Sequence, residues 1–463
     1  MKLQLFNSVT KSKQEFKPLK HESVSMYVCG PTVYSAPHLG NGLSIVVFDI
    51  LYRLLSHIYG SDKVKYVRNI TDVDDKINDE AKRRGISIHQ LTHEVTKVFH
   101  ENTDSLGCLA PTIEPKVTDH IKEIIEIIEL LLANGFAYQS ENHVYFEVKK
   151  FAGYGKLAGR NLDELLEGVR IDVDKAKRDA ADFVLWKPET NNSDPSAVFA
   201  SPWGKGRPGW HIECSAMSHK YLGENFDIHG GGVDLVFPHH TNEIAQSCAA
   251  FKGSNYANFW VHNGFLTVEG EKMSKSLGNF VTIEDLLKEG IHGEVIRYHL
   301  ASTHYRKPMD WNKKSVEDAK KALDNFYRVL EVLDEDDRDE GKISPEFIEA
   351  LLDDLNTPNA YAVLHMLAKE SHKANDMATK KNFAKTLKAS ANLIGLLRLT
   401  PAEWFKQENS DYSKVKIDEL VAKRVAAKKA KNWALADELR REIEEMNITL
   451  EDKADGTTIW RRH

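Results

Sequence analysis

Ser23-Val-Ser-Met-Tyr-Val-Cys29, Gly30-Pro-Thr-Val-Tyr-Ser-Ala-Pro-His-Leu-Gly-Asn-Gly42 and Leu43-Ser-Ile-Val-Val-Phe-Asp-Ile-Leu-Tyr-Arg-Leu-Leu55 follow one another without a break. Val24, Met26 and Val28 alternate, which reads as a buried strand. The Gly- and Pro-bearing stretch is a turn that opens an apolar helix. Val64-Lys-Tyr-Val-Arg-Asn-Ile-Thr71 then supplies a second strand. This β-turn-α-β order predicts a parallel, nucleotide-binding sheet, whose ligands sit outside the carboxyl ends of the strands. His38 falls at that place, by the start of the helix, where free backbone N–H groups and the helix dipole favour an anion.

Far downstream lies Glu271-Lys-Met-Ser-Lys-Ser-Leu-Gly-Asn279. A lone Lys-x-x-Lys is ordinarily a solvated loop. Two ammonium groups on a Gly-containing loop can also follow a polyphosphate as its charge redistributes. Phe226-Asp-Ile-His-Gly-Gly-Gly-Val-Asp234 reads as a strand ending at Ile228. Its glycines either form a flexible turn or leave room for an adenine, with Asp234 as an acceptor for ribose hydroxyls. In Asn69-Ile-Thr-Asp-Val-Asp-Asp-Lys-Ile77, three close carboxylates suggest metal or acid–base work, and a capped helix start is the stronger reading.

The 463 residues leave room for about three domains of ordinary size. Apolar residues make up 41% and charged residues 28%, and the formal charge of −7 argues against a histone-like binder. Residues 1–30 lack a basic–apolar–small signal pattern and no run approaches a membrane span, so a cytoplasmic protein is expected. Four widely separated cysteines make a disulfide framework unlikely there and raise the question of metal. His239 and Glu243 are four apart and share a helical face. Cys29 and Cys214 could complete a Cys-Cys-His-Glu zinc set. The alternative is an ordinary i,i+4 hydrogen bond beside two buried thiols, and His240 is the other ligand candidate. Cys108 and Cys248 read as buried thiols.

Residues from about Asn312 to Leu399 have helical apolar spacing (Phe326, Val329, Leu330, Leu333), with Pro358 in a first turn. An acidic run at 334–340 interrupts them. Lys423-Arg-Val-Ala-Ala-Lys-Lys-Ala-Lys431 places five basic residues on a helix that Asn432-Trp433-Ala-Leu-Ala-Asp437 continues, with a strand at Ile448–Asp452. Basic groups beside an aromatic suit single-stranded RNA, and a solvated basic helix is equally ordinary.

The lysine loop resembles the second signature of class I aminoacyl-tRNA synthetases, and His38-Leu-Gly-Asn41 resembles the first. Tyr27-Val-Cys-Gly-Pro-Thr-Val-Tyr34 and Arg68-Asn-Ile-Thr-Asp-Val-Asp-Asp-Lys-Ile77 narrow the resemblance to cysteinyl-tRNA synthetases, over nearly the whole chain. The resemblance implies an α/β Rossmann-type parallel-sheet catalytic domain with a connective insertion, an α-helical bundle and a small mixed α/β C-terminal domain. The expected divisions are 1–117 and 201–250 for the two catalytic halves, 118–200 for the insertion, 251–311 for the junction bearing the lysine loop, 312–400 for the bundle and 401–463 for the anticodon-binding domain.

It also implies roles. His38, Lys272 and Lys275 would be catalytic. ATP would be held by them with Gly40, Asn41, Gly231, Gly232 and Asp234. Thr71, Trp210 and His229 match positions that close around the substrate cysteine. Cys29, Cys214, His239 and Glu243 match the family's zinc ligands, one zinc per chain, and Mg²⁺ would accompany ATP. Trp433, Asp437 and Asp452 match positions that read the anticodon. The implied partners are ATP, L-cysteine and tRNA(Cys), with no membrane, and the chain is expected to act as a monomer. The rivals are the cysteine:amino-sugar ligase of mycothiol biosynthesis and a non-catalytic tRNA-binding paralogue. Three positions depart from the family pattern: Gly42-Leu43 replaces Ala-Arg or Gly-Arg, Ser35 stands where Asp is common, and Lys428 replaces an Arg.

Overall fold

The computed structural model describes residues 2–462 except 22, 161–163, 166–175, 191–193, 275–277, 335–340, 407–410, 431, 446–447 and 453–457. The chain divides into two compact units, Met1–Arg398 and Leu399–His463.

In the first unit a short hairpin, β1 (Gln4–Asn7) and β2 (Ser12–Glu15), precedes β3 (Val24–Val28), α1 (Leu39–Tyr59) and β4 (Val64–Arg68). Helices α2 (Asp75–Arg84), α3 (Ile88–Ser105) and α4 (Ile121–Ala133) follow. Strands β5 (Ala137–Ser140), β6 (His143–Phe146), β7 (Phe183–Pro188) and β8 (Gly206–Pro208) form an antiparallel sheet. The chain returns through α5 (Trp210–Leu222), β9 (Asn225–Gly232), α6 (Thr241–Ala250) and β10 (Tyr256–Asn263). The central sheet has the order β10-β9-β3-β4 and is parallel throughout, as the β-turn-α-β pattern predicts.

Burial on both faces explains the composition of this sheet. Met26, Tyr27, Val67 and Ile228 are fully buried. β9 runs on through Gly232, not stopping at Ile228, because Gly230, Gly231 and Gly232 pair with Val261, His262 and Asn263 of β10. A Cβ on Gly230 would stand 2.2 Å from the Phe48 ring of α1, so glycine there lets helix and sheet close.

Helix α1 corrects one expectation. Its 21 residues are long and apolar enough, by length and composition alone, to cross a membrane. Here it is a core helix, with Leu39, Val46, Phe48, Leu51, Leu54 and Leu55 all sealed.

A small sheet, β11 (Leu266–Val268), β12 (Glu271–Lys272) and β13 (Met309–Trp311), carries the start of the lysine loop. Helices α7 (Ile283–Lys288) and α8 (Gly293–Leu300) lie between β12 and β13. The bundle is α9 (Lys313–Leu330), α10 (Pro345–Leu352), α11 (Thr357–Lys373) and α12 (Met377–Leu393), with Pro358 in the first turn of α11 as expected. The acidic run lies, apart from Asp334, outside the described residues.

The second unit has α13 (Pro401–Lys406), α14 (Asp411–Lys429), α15 (Trp433–Glu445) and a hairpin of β14 (Ile448–Asp452) and β15 (Thr458–Arg462). The expected continuous basic helix is two helices. The break falls where the Asn432 side chain takes the Leu435 N–H at 3.3 Å and starts a new helix. Ile417, Leu420, Val421, Leu439, Ile443 and Ile448 form its core.

In the first unit, Asp354 ties the N-terminal hairpin to the segment after α8. Buried at 1% exposure, it accepts from Phe6 N at 2.8 Å, Tyr305 OH at 2.7 Å and Arg306 Nε at 2.8 Å. Asp354→Ala is expected to cost about 3 kcal/mol by stranding these donors. Asp354→Asn, which tolerates the positive φ of 61°, should cost less. Calorimetry of the full chain checks both, and an unchanged midpoint in the alanine variant would contradict this assignment.

Candidate active site

The carboxyl ends of the four parallel strands converge on one site. β3 delivers Cys29, whose N–H donates to Gly230 O at 3.2 Å and so extends the pairing by one residue. β4 delivers Asn69 and Thr71. The loop after β9 delivers Asp234 and His239, and the first turn of α6 delivers Glu243.

His38 is the N-cap of α1. Its Nδ1 accepts from Asn41 N at 3.3 Å while Asn41 Oδ1 accepts from His38 N at 3.1 Å, a reciprocal capping box. With Nδ1 an acceptor, a neutral ring carries its proton on Nε2. Asn41 thus has a structural task that its expected ATP role does not explain.

The two distant signatures meet. Leu39 N donates to Val281 O at 3.1 Å, and Ile283 N to Pro37 O at 3.2 Å. The His38 ring lies edge-on to Phe280 at 5.4 Å. A Cβ on Gly40 would be 3.9 Å from Met273 of the lysine loop. Lys272 is exposed at the end of β12, and Asn279 bonds back across the loop to Ser274 N at 2.8 Å and Lys272 O at 3.3 Å. Lys275 lies outside the described residues. Gly42 packs against Ile283 and Leu300, and Leu43, where the family's arginine would stand, is buried. Gly231 lies under the His240 ring, Gly232 beside the carboxylate of Asp234, and Asp234 is exposed.

Cys29, Cys214, His239 and Glu243 bring one ligand atom each to within 4.8 Å of one another. The two sulfurs are 3.7 Å apart, Cys29 Sγ is 3.5 Å from Glu243 Oε1, and His239 Nε2 is 3.1 Å from the same oxygen. Cys214, His239 and Glu243 are buried and Cys29 is half-buried. Glu243 is the hub. Its Oε2 also accepts from His229 Nε2 at 2.9 Å and Tyr256 OH at 2.7 Å. A second set, Cys29, His229, His240 and Glu243, is equally close, which keeps His240 in view. His240 Nε2 faces Cys29 Sγ at 3.4 Å, while its Nδ1 bonds His262 Nε2 at 2.8 Å and His262 Nδ1 bonds Ser8 Oγ at 2.7 Å.

Charge follows from this packing. Burial opposes ionisation of Glu243, yet the imidazoles of His229 and His239 outweigh it and hold the carboxyl well below its usual range. Burial would neutralise His239, but Glu243 and Cys214 overcome it and push the ring up to about 10. Cys214, also buried, is brought down to about 6 by hydrogen bonding with Cys29 and His239, while burial and the neighbouring Cys214 drive Cys29 well up. These shifts favour the charged forms of His239, Glu243 and Cys214 and the neutral thiol of Cys29. Four donors around a tetrahedral zinc at about 2.0–2.3 Å stand roughly 3.3–3.8 Å apart, close to the spacing observed, so the residues fit such an ion.

Trp210 opens α5, is 39% exposed and stacks on His239 with centroids 4.2 Å apart. Thr71 is buried and donates to Glu213 Oε2 at 3.0 Å. His229 is sealed behind Glu243, stacked on Trp260 at 4.4 Å. The carboxylates of the Asn69–Ile77 run serve structure: Asp74 caps α2, Asp72 accepts from Thr118, and Asp75 pairs with Lys187 and Arg207. Cys108 is buried as expected, whereas Cys248 is only half-buried. In the second unit Trp433 and Asp437 are exposed, one turn apart on α15, and the side chain of Asp452 lies outside the described residues.

Sequence reading missed Tyr256 and His262, and it set His211 in a tight loop over a ligand without its partner. His211 bonds His239 Nδ1 at 3.0 Å. Tyr256, Trp260 and His262 follow the two-residue period of β10 and so share one face, a signal that was there to be read.

Residues 15–321 match the family described as tRNA synthetases class I (C) catalytic domain, and residues 346–398 match the DALR domain. The cysteine–tRNA ligase of Rickettsia felis is 55% identical over 99% of this chain and 98% of its own, and that of Rickettsia prowazekii is 54% identical over the full length of both. The chain belongs to the cysteine–tRNA ligase family of class I synthetases. Among solved structures, Mycobacterium tuberculosis methionyl-tRNA synthetase in complex with methionyl-adenylate superposes with a TM-score of 0.57 at 15% identity, over 83% of this chain and 93% of that one. This likeness is one of fold, and the class I assignment of the cysteine–tRNA ligase chain rests on the family match.

Glu243→Ala would strand two imidazoles and the Tyr256 hydroxyl. A loss of about 3–5 kcal/mol is expected in metal-stripped protein. Glu243→Gln keeps an acceptor and should lose less. Thermal unfolding of the two variants checks this, and equal midpoints to the unsubstituted protein would contradict the hub role.

Proposed function

We propose that this chain is a cysteine–tRNA ligase that activates L-cysteine with ATP and transfers it to the 3′ end of tRNA(Cys), choosing cysteine by its thiol through one zinc ion. The observation that carries the reading is the cluster of half-buried Cys29 with buried Cys214, His239 and Glu243 at the same strand ends as the His38 turn. Zinc when bound would take up a substrate thiolate, which a serine hydroxyl cannot match at neutral pH. A shape-based pocket discriminates poorly between such near-isosteres.

The chain's own residues do the rest. Trp210 and Thr71 flank the cluster as walls of the cysteine pocket. His229 and Tyr256 orient Glu243. His38 Nε2–H donates to the phosphates of ATP, which arrives with Mg²⁺. Gly40 lets the nucleotide approach the backbone, Gly231 and Gly232 leave room for its base, and Asp234 accepts from its ribose. Lys272 and Lys275 meet the charge that spreads over the leaving pyrophosphate, so rate comes from positioning and electrostatics. Trp433, Asp437 and Asp452 read the anticodon, with Trp433 offering an exposed stacking face. The enzyme works as a cytoplasmic monomer. Relatives matched over the whole chain are cysteine–tRNA ligases, which favours neither the amino-sugar ligase nor a non-catalytic paralogue.

ATP–pyrophosphate exchange with cysteine, followed by charging of tRNA, tests the reading. Lys275→Ala is expected to lower exchange about 10²–10³-fold with zinc content unchanged. Unchanged exchange would remove that lysine from the mechanism.

Zinc must displace the protons on His239 and Cys29, so loading the stripped protein near neutral pH should release about two protons. Calorimetric titration in buffers of differing ionisation heat measures this. No proton release would contradict the ligand set.

A further inference from the structure

Helix α8 grips two parts of the first unit at once. Glu294 and Arg297 lie one turn apart on it, both fully buried. Arg297 fills its whole fork: Nε donates to Ile394 O at 2.8 Å, Nη1 to Leu106 O at 3.3 Å and Cys108 Sγ at 3.4 Å, and Nη2 pairs with Asp49 of α1. Asp49 also accepts from Arg53 Nε and Leu109 N, each at 2.7 Å. Glu294 takes the Leu397 N–H at 2.7 Å and the Tyr327 hydroxyl at 3.0 Å. The exposed Arg398 donates to Ser105 O at 3.3 Å.

The peptide 394–398, which leaves the bundle, is thus held at a carbonyl, an N–H and a side chain. Two glycines make the fit. Gly395 has φ +73° and a Cβ there would lie 2.6 Å from Arg297 Cζ, and Gly107 has φ +69° with 2.2 Å to Arg398 Cζ. The other end of the grip is α1, which begins beside His38. A second tie runs from α7, just before α8, whose N-cap Thr282 forms a bridge with His38.

A buried arginine–carboxylate pair is often no more stable than apolar residues of the same volume, so its presence argues for position over stability. We infer that α8 is a clamp joining the 394–398 connector to the ATP-binding helix, and that Glu294, Arg297 and Arg398 are positioning residues for the tRNA-dependent step. The inference rests on the cysteine–tRNA ligase reading. The second unit starts at Leu399, immediately after the clamped peptide. A load applied to that unit by bound tRNA would reach α1 through these contacts.

The test compares cysteine-dependent exchange with tRNA charging on the same zinc-loaded full-length preparations. Arg398→Ala removes an exposed contact and leaves the core intact. Glu294→Leu removes the Leu397 acceptor, and Glu294→Gln restores it. Exchange should stay within about twofold in all three. kcat/KM for tRNA should fall about threefold in Arg398→Ala and about tenfold in Glu294→Leu, and return in Glu294→Gln. Equal falls in exchange and charging, or unchanged charging in Arg398→Ala, would overturn the clamp. Should Glu294→Leu fail to fold, the Arg398→Ala ratio decides alone. An unsubstituted chain without cysteine-dependent exchange would overturn the underlying reading and the clamp together.

Discussion

A carboxylate with no access to solvent has to be compensated, and Glu243 imposes that requirement on the centre of this molecule. Its two oxygens are met by His229, His239 and Tyr256, and they face the sulfur of Cys29. The sheet order follows suit. Cys29 ends β3, His229 lies within β9, Tyr256 opens β10, and Glu243 stands in the first turn of α6 between the last two. None of these groups could be buried alone without a large desolvation penalty.

The turn at His38, proposed above to hold the nucleotide, is built differently. Donors there are backbone ends and ring N–H groups already held by local bonds, as in the His38–Asn41 box. The base of the lysine loop is stitched to the turn by Leu39–Val281 and Ile283–Pro37 backbone bonds. Preorganised donors cost little reorganisation at the moment of reaction.

Much of this was legible in the chain. The β-turn-α-β order, the two signatures and the His239–Glu243 pair rest on local patterns, which sequence carries directly; Cys29 and Cys214 were assigned to that pair only through the family resemblance. What was not legible depended on partners distant in sequence. Gly230 to Gly232 look like a turn until β10 is seen to pair with them. Asp49 and Arg297 are 248 residues apart and neither lies in a motif. The break at Asn432 turned on one side-chain cap within an otherwise helical run. The apolarity of α1 is intelligible only once both the sheet and the bundle are seen to cover it.

X-ray absorption at the zinc edge addresses the thiol-reading role of the cluster most directly. Zinc-loaded protein should show two sulfur neighbours, from Cys29 and Cys214, rising to three when L-cysteine is added and staying at two with L-serine. A sulfur count unmoved by cysteine, or one that starts above two, would contradict zinc selection by this set of residues.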